Sequence, residues 1–465
     1  MLPHRRPCPK QKLKKLLLLL QMLCLYEATL NYARIFALLL NHTVTTVLLL
    51  LLYPFIQPFK KQMNTTLTSR VPLIDGLRGF ALLGIILAHY IGWHGGWSLP
   101  EEVSKPYQSD VLSQIIWTFD GILVTGKFFA FFSFLFGVSF GLMLLRTSDR
   151  KAAFLARFAW RITLLGGIGL LHHLHWRGDI LSIYAMVGFG LLLFVNVPEK
   201  ILLWVAIGLI INVPARLQDA YMTWQHIDTG ALWGTIFDEP GNKRYLNLIR
   251  AGEYFPFLED NWAAFPKKMK FQVLSGRLYI TFGFFLLGFW FARKQLLQQF
   301  DEHRVFFRKL LIYSISVVGV LLLIGVGLQL SGIFNKTIPM WLSALLSMLY
   351  DLMNACMVLF YVAGVSFLLS KKSWSKVLSS LAAIGKMALT SYLTQTLLGW
   401  FIFFGFGFNL LGKVSPAVGY LIGIMVFLAQ ISFSQWWLGR FRYGPVEWLW
   451  RSLTYLKVQP FLKSR

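Results

Sequence analysis

The chain contains 465 residues, of which 56% are hydrophobic and 14% are charged, and this balance excludes an ordinary water-soluble globular protein. The apolar residues come in runs of about twenty, which predicts an all-α, polytopic transmembrane helical bundle with the lipid bilayer as its partner. The formal net charge of +25 lies mostly in short segments between these runs, as in membrane proteins, so we expect no nucleic-acid partner.

The first segment in chain order, residues 1–69, is an atypical hydrophobic extension. Its basic start and short leucine run are typical of a signal sequence, but no small-residue cleavage site follows, and a second apolar run occupies about 35–56. Two interpretations stay open. Either the extension adds a hydrophobic hairpin that leaves Arg70 cytoplasmic, or translation begins at Met63.

Apolar segments from Val71 onward predict a membrane domain of about ten spans over residues 70–438. Basic residues crowd alternate connections, whereas the intervening loops are balanced or acidic. Because positive charge favours the cytoplasmic side, we expect Arg70 and the tail, residues 439–465, to be cytoplasmic. The spans are predicted at about 71–93, 124–145, 156–176, 179–197, 200–215, 273–293, 307–330, 341–369, 383–408 and 415–438.

The longest outward connection is the outer segment, residues 216–272. It contains seven acidic and seven basic residues, together with several large aromatic residues, and is too polar to span. One interpretation is a solvated loop packed against the bundle. The other is a set of interfacial helices or a lid over a site.

The first span, IDGLRGFALLGIILAHYIGWHGGW, contains polar residues that a lipid-facing helix excludes. At about 100° per residue, Asp75, Arg78 and His89 share one face, and His89 lies roughly 21 Å from Asp75 along the axis. One interpretation is that Arg78 extends to the cytoplasmic interface with Asp75 as its partner, while His89 and His94 mark the outer interface. The other is that these four residues line a cavity or a substrate path, because a charge in lipid is costly.

The turn between the third and fourth spans, LHHLHWRGDILSIY, contains a second polar set. Asp179 is expected to cap the following helix and to fix a His or an Arg across the turn. His172 and His175 are the only His pair at i,i+3 spacing here, and the three cysteines of the chain lie far apart, so we expect no metal site. The candidate cavity-lining residues of this turn are His172, Asp179 and Tyr184.

A polar strip marks the ninth span, IGKMALTSYLTQTLL. Lys386 and Thr390 share one stripe of the predicted helix, with Ser391 and Gln395 beside it. Such a strip lines water or a substrate, or it bonds to the polar groups of a neighbouring helix. Both interpretations stay open.

Two later segments carry further polar residues. Asp351, with Asn354 nearby, lies deep in the eighth span and is either a proton carrier or a partner for another helix. At the C-terminus, PVEWLWRSLTY begins with Pro445 in a first helical turn and places Glu447 four residues before Arg451. We expect this segment to form a short amphipathic helix on the cytoplasmic surface.

Five of these segments together resemble the YeiB-type family of bacterial inner-membrane proteins. That family is in turn similar to a wider group of membrane acyltransferases, which includes the acyltransferase-3 proteins and the heparan glucosaminide acetyltransferase. In those relatives an opening D-x-x-R-G helix followed by a His is associated with acyl transfer, and the resemblance assigns this role to Asp75, Arg78 and His89. The matching segments, in order, are LIDGLRGFALLGIIL, FFSFLFGVSFG, WRGDILSIYAMVG, IGKMALTSYLTQTLL and RYGPVEWLWRSLT.

The chain departs from the family pattern at two positions. YeiB-type proteins usually have Asn where this chain has His89, so at this position the chain is more similar to the transferases. The family's His near the end of the third span corresponds to Leu171, one residue before His172.

These residues and the resemblance lead to an acyltransferase hypothesis. A cytoplasmic acyl-CoA, the donor substrate and not a bound cofactor, enters near Asp75 and Arg78, and an acceptor hydroxyl or amine of a small molecule, lipid or glycan reaches His89. His89 acts as general base or acyl carrier, and Arg78 holds a phosphate or stabilises an oxyanion. The alternative is a proton-coupled transporter or flippase, because Asp, His and Arg inside a bundle also form proton relays. A membrane scaffold without chemistry is the third hypothesis.

Overall fold

A computed structural model describes residues 71–93, 110–146, 151–236, 239–335 and 338–463. The predictions for residues 1–69 and for His94 lie outside the described residues. Within these ranges the structure consists of helices and their connections, with one isolated bridge between Phe441 and Leu462. In chain order the α-helices are α1 Pro72–Ala88, α2 Val111–Leu123, α3 Phe128–Leu145, α4 Lys151–His175, α5 Leu181–Gly188, α6 Gly190–Leu193, α7 Glu199–Ile210, α8 Val213–Trp224, α9 Thr229–Gly234, α10 Glu239–Ala251, α11 Tyr254–Ala263, α12 Phe265–Leu274, α13 Arg277–Arg293, α14 Arg304–Leu330, α15 Met340–Leu369, α16 Ser375–Lys386, α17 Ala388–Phe403, α18 Pro416–Arg440 and α19 Pro445–Tyr455.

The helices of the described residues confirm an all-α, multi-pass membrane protein. Six helical segments are long and apolar enough to cross a membrane, and the number rises to nine if each of three bent helix pairs is one span. A shorter apolar helix, Leu181–Leu193, occupies the place of the predicted fourth span. The ten predicted segments therefore correspond to up to nine candidate spans and this shorter helix.

The second span differs from its prediction at its outer end. α2 and α3 together form a 35-residue apolar segment, Val111–Leu145, whereas the predicted span begins at residue 124. The apolar run around WTFDGILV continues into α2, so Asp120, which precedes the predicted start of the span, is buried together with Lys127. The Lys127 ammonium donates to the carbonyl oxygens of Gly121 at 2.6 Å and Thr125 at 2.8 Å.

α1 packs against α3, α16 and α18. Gly79 and Gly385 bring the backbones of α1 and α16 together, because a Cβ on Gly79 would overlap the Leu381 carbonyl and a Cβ on Gly385 would overlap the Asp75 carbonyl. Small residues at these two positions allow the close approach of the helices. It fixes the helix that carries Asp75, Arg78 and His89.

Of the three bent helix pairs, two have breaks that contact each other. α7 and α8 meet at 52°, and the segment Tyr254–Leu274 meets α13 at 65°. Both breaks contain a residue with a left-handed backbone, Asn212 at φ 62° and Gly276 at φ 71°. The Asn212 amide donates to the Ser275 carbonyl at 3.3 Å and to Asp351 Oδ2 at 3.1 Å. Asp351 therefore pairs across the bundle with a broken helix.

The outer segment folds into helices and packs against the end of α4. His173 Nε2 donates to the Asn261 carbonyl at 3.0 Å, and Asn261 Nδ2 donates to the Leu174 carbonyl at 2.8 Å. Arg177 Nε donates to Asn261 Oδ1 at 2.9 Å, and its guanidinium also pairs with Asp260. These contacts hold α11 over the polar turn that follows α4.

Candidate functional site

A cavity of about 810 Å³ lies among α1, α2, α3, α13, α15 and the start of α8. Much of its wall is apolar, with polar side chains at separate points, which is the usual composition of a small-molecule site. The two broken helices contribute to this wall through Arg216 and Arg277. The ionisable and amide side chains of the wall include His89, Asp120, Arg216, Arg277, Asp351 and Asn354.

His89 lines this cavity, as do Asp351 and Asn354 of the eighth predicted span, whereas the other predicted site residues within the described ranges do not. It begins a π-helical turn, His89–Trp93, a local widening that is frequent at functional sites. Its ring centroid lies 5.6 Å from that of Trp176 and 6.2 Å from that of Tyr392. Two large buried side chains therefore orient an imidazole at the cavity wall.

Behind His89, Asp179 is the centre of a buried hydrogen-bond network. Its carboxylate accepts from His172 Nδ1 at 2.8 Å, from the backbone N–H groups of Leu181 and Ser182 at 3.0 Å each, and from Ser182 Oγ at 2.6 Å. Lys268 of the outer segment completes the set at 3.3 Å. The prediction that Asp179 caps the following helix and fixes a His across the turn is confirmed.

The environment of Asp179 favours its charged form. Burial alone would raise the pKa of this carboxyl, but the hydrogen bond from His172 and the positive charge of Lys268 outweigh it and hold the pKa well below its usual range. Asp179 is 1% exposed, so its charge is neutralised within the protein.

The three histidines of α4 have separate partners. His172 Nε2 lies 3.0 Å from Thr396 Oγ1, while His173 faces Asn261 and Lys268. His175 donates to the Leu171 carbonyl at 2.7 Å and is half-buried. Leu171, the position of the family's His, is 63% exposed, whereas His172 is buried. In this chain the residue that lies inside the protein is therefore His172, and not the residue at the position of the family's His.

Asp75 and Arg78 lie at the opposite end of α1 from the cavity. Arg78 Nη1 contacts Asp75 Oδ1 at 2.5 Å, and Arg78 Nη2 donates to Ser139 Oγ at 2.8 Å. Asp75 is buried, while the Arg78 side chain is 22% exposed. The predicted ion pair forms, but the structure does not bring it together with His89.

The polar strip of the ninth span is divided by a helix break. α16 ends at Lys386 and α17 begins at Ala388, and the two meet at 80°. Lys386 and Thr390 therefore do not share a stripe, because a common stripe requires one continuous helix.

The polar residues of α17 bond to neighbouring helices. Gln430 of α18 donates to the Ser391 carbonyl at 3.0 Å, and Gln395 Nε2 donates to Gln430 Oε1 at 3.1 Å. Thr390 Oγ1 donates to Glu447 at 2.5 Å. Of the two interpretations of this strip, the contacts favour packing between helices.

Glu447 caps the break instead of contacting Arg451. Its carboxylate accepts from the backbone N–H groups of Leu389 at 2.6 Å and Thr390 at 3.0 Å, at the start of α17. Burial raises the pKa of Glu447, although these hydrogen bonds act in the opposite direction. The C-terminal helix α19 is thereby attached to the bundle.

Tyr184 contacts α3 and does not line the cavity. Its hydroxyl is 2.7 Å from Ser133 Oγ and donates to the Phe129 carbonyl at 2.8 Å. Phe129 itself lines the cavity, so Tyr184 supports the wall without reaching it.

Four residues of the cavity wall and the Asp179 network were not predicted from the sequence, namely Arg277, Arg216, Asp120 and Lys268. Arg277 follows Gly276 at the start of α13, and a Ser-Gly-Arg sequence at a span boundary is a signal for a helix break. Asp120 lies within an apolar run, which indicated burial. Lys268 reaches Asp179 from 89 residues along the chain, and no local pattern predicts that contact.

Comparisons with known proteins agree with the resemblance found in the sequence. Residues 291–457 match the family described as "Protein of unknown function (DUF418)". The chain is 32% identical over 423 residues to "Uncharacterized protein YxaH" of Bacillus subtilis (strain 168), covering 86% of this chain and 98% of that protein. It is 26% identical over 410 residues to "Uncharacterized protein YeiB" of Escherichia coli (strain K12), covering 84% of this chain and 98% of that protein. No solved structure matches the chain. The chain therefore belongs to the YeiB-type family of multi-pass membrane proteins, which carries the DUF418 description.

Proposed function

We propose that the protein is an acyltransferase of the bacterial inner membrane, which moves an acyl group from a cytoplasmic acyl-CoA to an acceptor hydroxyl or amine. The acceptor is a small molecule, a lipid or a glycan. The observation that supports this proposal is the position of His89, an imidazole in the wall of a cavity of about 810 Å³ within the membrane domain. The acyltransferases that the sequence resembles have a His at the corresponding place.

The proposed orientation follows from charge. The basic residues of the connections after α3, α13 and α15 support an orientation with the Arg78 end of α1 in the cytoplasm and the His89 end outside. Arg78, anchored by Asp75 and Ser139, contacts a phosphate of the donor in this proposal. The donor arm must then bridge roughly 17 Å between Arg78 and His89, the rise of eleven helical residues.

The proposed reaction balances without a further reactant. His89 takes the proton of the acceptor hydroxyl or amine, whose oxygen or nitrogen forms a bond to the thioester carbonyl carbon. The carbon–sulfur bond breaks when the tetrahedral intermediate collapses, and the CoA thiolate takes up the proton that His89 carried. The products are the acylated acceptor and free CoA.

The test is acyl-CoA consumption by the purified full-length protein in the presence of a membrane extract that contains the acceptor. We expect His89→Ala to insert and fold but to lose turnover by about 10²-fold or more, the usual contribution of a general base. His175→Ala is the matched control, because His175 is another partly exposed imidazole of the same region and lies outside the cavity wall. Unchanged turnover by His89→Ala would contradict the proposal.

Proton-coupled transport is the second candidate, and the broken helices favour it. Helix breaks in the membrane often surround transporter substrate sites, and here the starts of α8 and α13 both contribute an arginine to one cavity. No acyl-CoA turnover by the wild type, together with proton-coupled solute uptake in proteoliposomes, would favour this candidate.

A further inference from the structure

Arg277 is a cavity cation without an anionic partner among the described residues. Its guanidinium lies over the Phe129 ring at 4.3 Å from the centroid and 5.7 Å from that of Phe271, but it makes no ion pair or side-chain hydrogen bond there. Arg216, the other cavity arginine, pairs with Asp219 at 3.2 Å. A guanidinium presents five donors in a plane that matches a carboxylate or a phosphate, so Arg277 is suited to hold an anionic group of a ligand.

Four further residues of the cavity wall have a buried polar atom with no hydrogen-bond partner in the described part of the chain. Trp117 Nε1 and Arg216 Nε are donors, while Asp120 Oδ1 and Asn354 Oδ1 are acceptors. Buried polar groups are normally satisfied, and a cluster of exceptions indicates where water or a ligand binds. Hydroxyl groups both donate and accept, so a hydroxyl-bearing ligand satisfies both kinds of atom.

Much of the remaining wall is apolar. Ile85, Val124, Phe284 and Leu346 contribute to it, and the cavity is partly open instead of sealed. A ligand that fills such a space gains from an apolar portion, at about 0.8 kcal/mol for each buried CH₂. The cation, the unpaired hydrogen-bonding atoms and the apolar part of the wall together match a ligand that is an amphiphile.

We infer that this cavity binds the anionic, hydroxyl-bearing head group of an amphiphile. The negative group contacts Arg277, the hydroxyls lie among Trp117, Asp120, Arg216 and Asn354, and the apolar chain follows the remaining wall. This inference concerns binding alone, so it holds whether acyl transfer or transport follows.

The experiment is calorimetric titration of the full-length protein in nanodiscs of neutral phosphatidylcholine, with empty nanodiscs to subtract partitioning. The probes are dodecyl phosphate, dodecyl glucoside, dodecyltrimethylammonium and inorganic phosphate. We expect saturable binding of dodecyl phosphate and affinities lower by about tenfold or more for the other three, because each lacks either the negative charge or the apolar chain.

Variants assign the charge recognition to one residue. Arg277→Gln should weaken dodecyl phosphate binding by about ten- to a hundredfold and leave dodecyl glucoside binding unchanged, while Arg277→Lys should lose less because it keeps the charge. Arg244→Gln is the matched control, since the Arg244 side chain is 67% exposed and lies outside the cavity wall. It should bind like the wild type.

Three outcomes would overturn the inference. One is equal affinity of the wild type for the phosphate, glucoside and ammonium probes, which decides the matter even if Arg277→Gln does not fold. Another is unchanged phosphate affinity in a folded Arg277→Gln variant. The third is inorganic phosphate binding as tightly as dodecyl phosphate, which would identify a free-anion site and exclude the amphiphile. Because the readout is binding, a protein without acyl-CoA turnover still tests it.

Discussion

The Asp179 network and the cavity are neighbouring polar regions that differ in how their hydrogen-bonding groups are satisfied. Tyr392 contacts both, since its ring centroid lies 5.1 Å from that of His172 and 6.2 Å from that of His89. Asp179 accepts hydrogen bonds from three other residues in addition to His172. In the cavity, by contrast, Arg277 has no anionic partner among the described residues, and four buried polar atoms are unmatched.

This difference shows that a charged residue inside a membrane bundle is not by itself a sign of chemistry. Asp179 and Lys268 are as polar as any residue of the cavity. Their side chains, however, form hydrogen bonds within the protein that hold α4, α5 and the outer segment together. In the cavity wall, the groups available to a ligand are Arg277 and the four unmatched polar atoms, because the described part of the chain supplies no ion-pair or hydrogen-bond partner for them.

The largest expected effect is that of Asp179→Ala. The substitution leaves Lys268 and His172 buried without their common acceptor and removes a helix cap, so we expect a loss of about 3–5 kcal/mol in the free energy of unfolding. Thermal or denaturant unfolding in detergent measures this loss. Asp301→Ala is the control, because the Asp301 side chain is 81% exposed and its pair with Arg304 should contribute about 0.5 kcal/mol or less. A loss for Asp179→Ala no larger than that of the control would contradict the structural role.

A smaller effect is expected in the pH dependence of stability. The folded pKa of Asp179 is lowered, so its carboxylate stabilises the fold above the ordinary Asp pKa of about 3.9, and this contribution is lost as the pH falls toward the folded pKa. Asp179→Asn has no such titration. Below about pH 4, the difference in unfolding midpoint between the wild type and Asp179→Asn should shrink as the pH falls. A difference that grows as the pH falls below about 4 would reverse the sign and disprove the assignment.

The sequence predicted the parts of this comparison that depend on local pattern. Runs of apolar residues indicated the bundle, and the position of Asp179 at the turn before an apolar segment indicated the cap. It did not predict the breaks at Asn212 and Met387, because apolar content continues through both. It also missed Lys268 beside Asp179, since that pair joins residues 89 positions apart.

The functional residues predicted from the sequence differ from those of the cavity, because helix periodicity describes one helix and not the packing between helices. Asp75, Arg78 and His89 share a helix face, and periodicity alone places them together, but the roughly 21 Å of helix between Asp75 and His89 separates the ion pair from the imidazole. The residues that surround His89 come from other helices. Arg277 comes from the start of α13 and Asn354 from the middle of α15, and only the packing of whole helices brings them to one cavity.

The smallest expected effect on stability is that of Asn354→Leu, and it tests the cavity side of the comparison. Asn354 makes no side-chain hydrogen bond with any described residue, and its buried Oδ1 has no partner there. Replacing it with an apolar side chain of similar size removes an unmatched polar group, so the free energy of unfolding should change by no more than about 0.5 kcal/mol or should rise. The same unfolding measurement applies, with Asp179→Ala as the contrasting variant. A loss of several kcal/mol for Asn354→Leu would show that the cavity wall is as internally bonded as the Asp179 network, and the distinction between the two regions would fail.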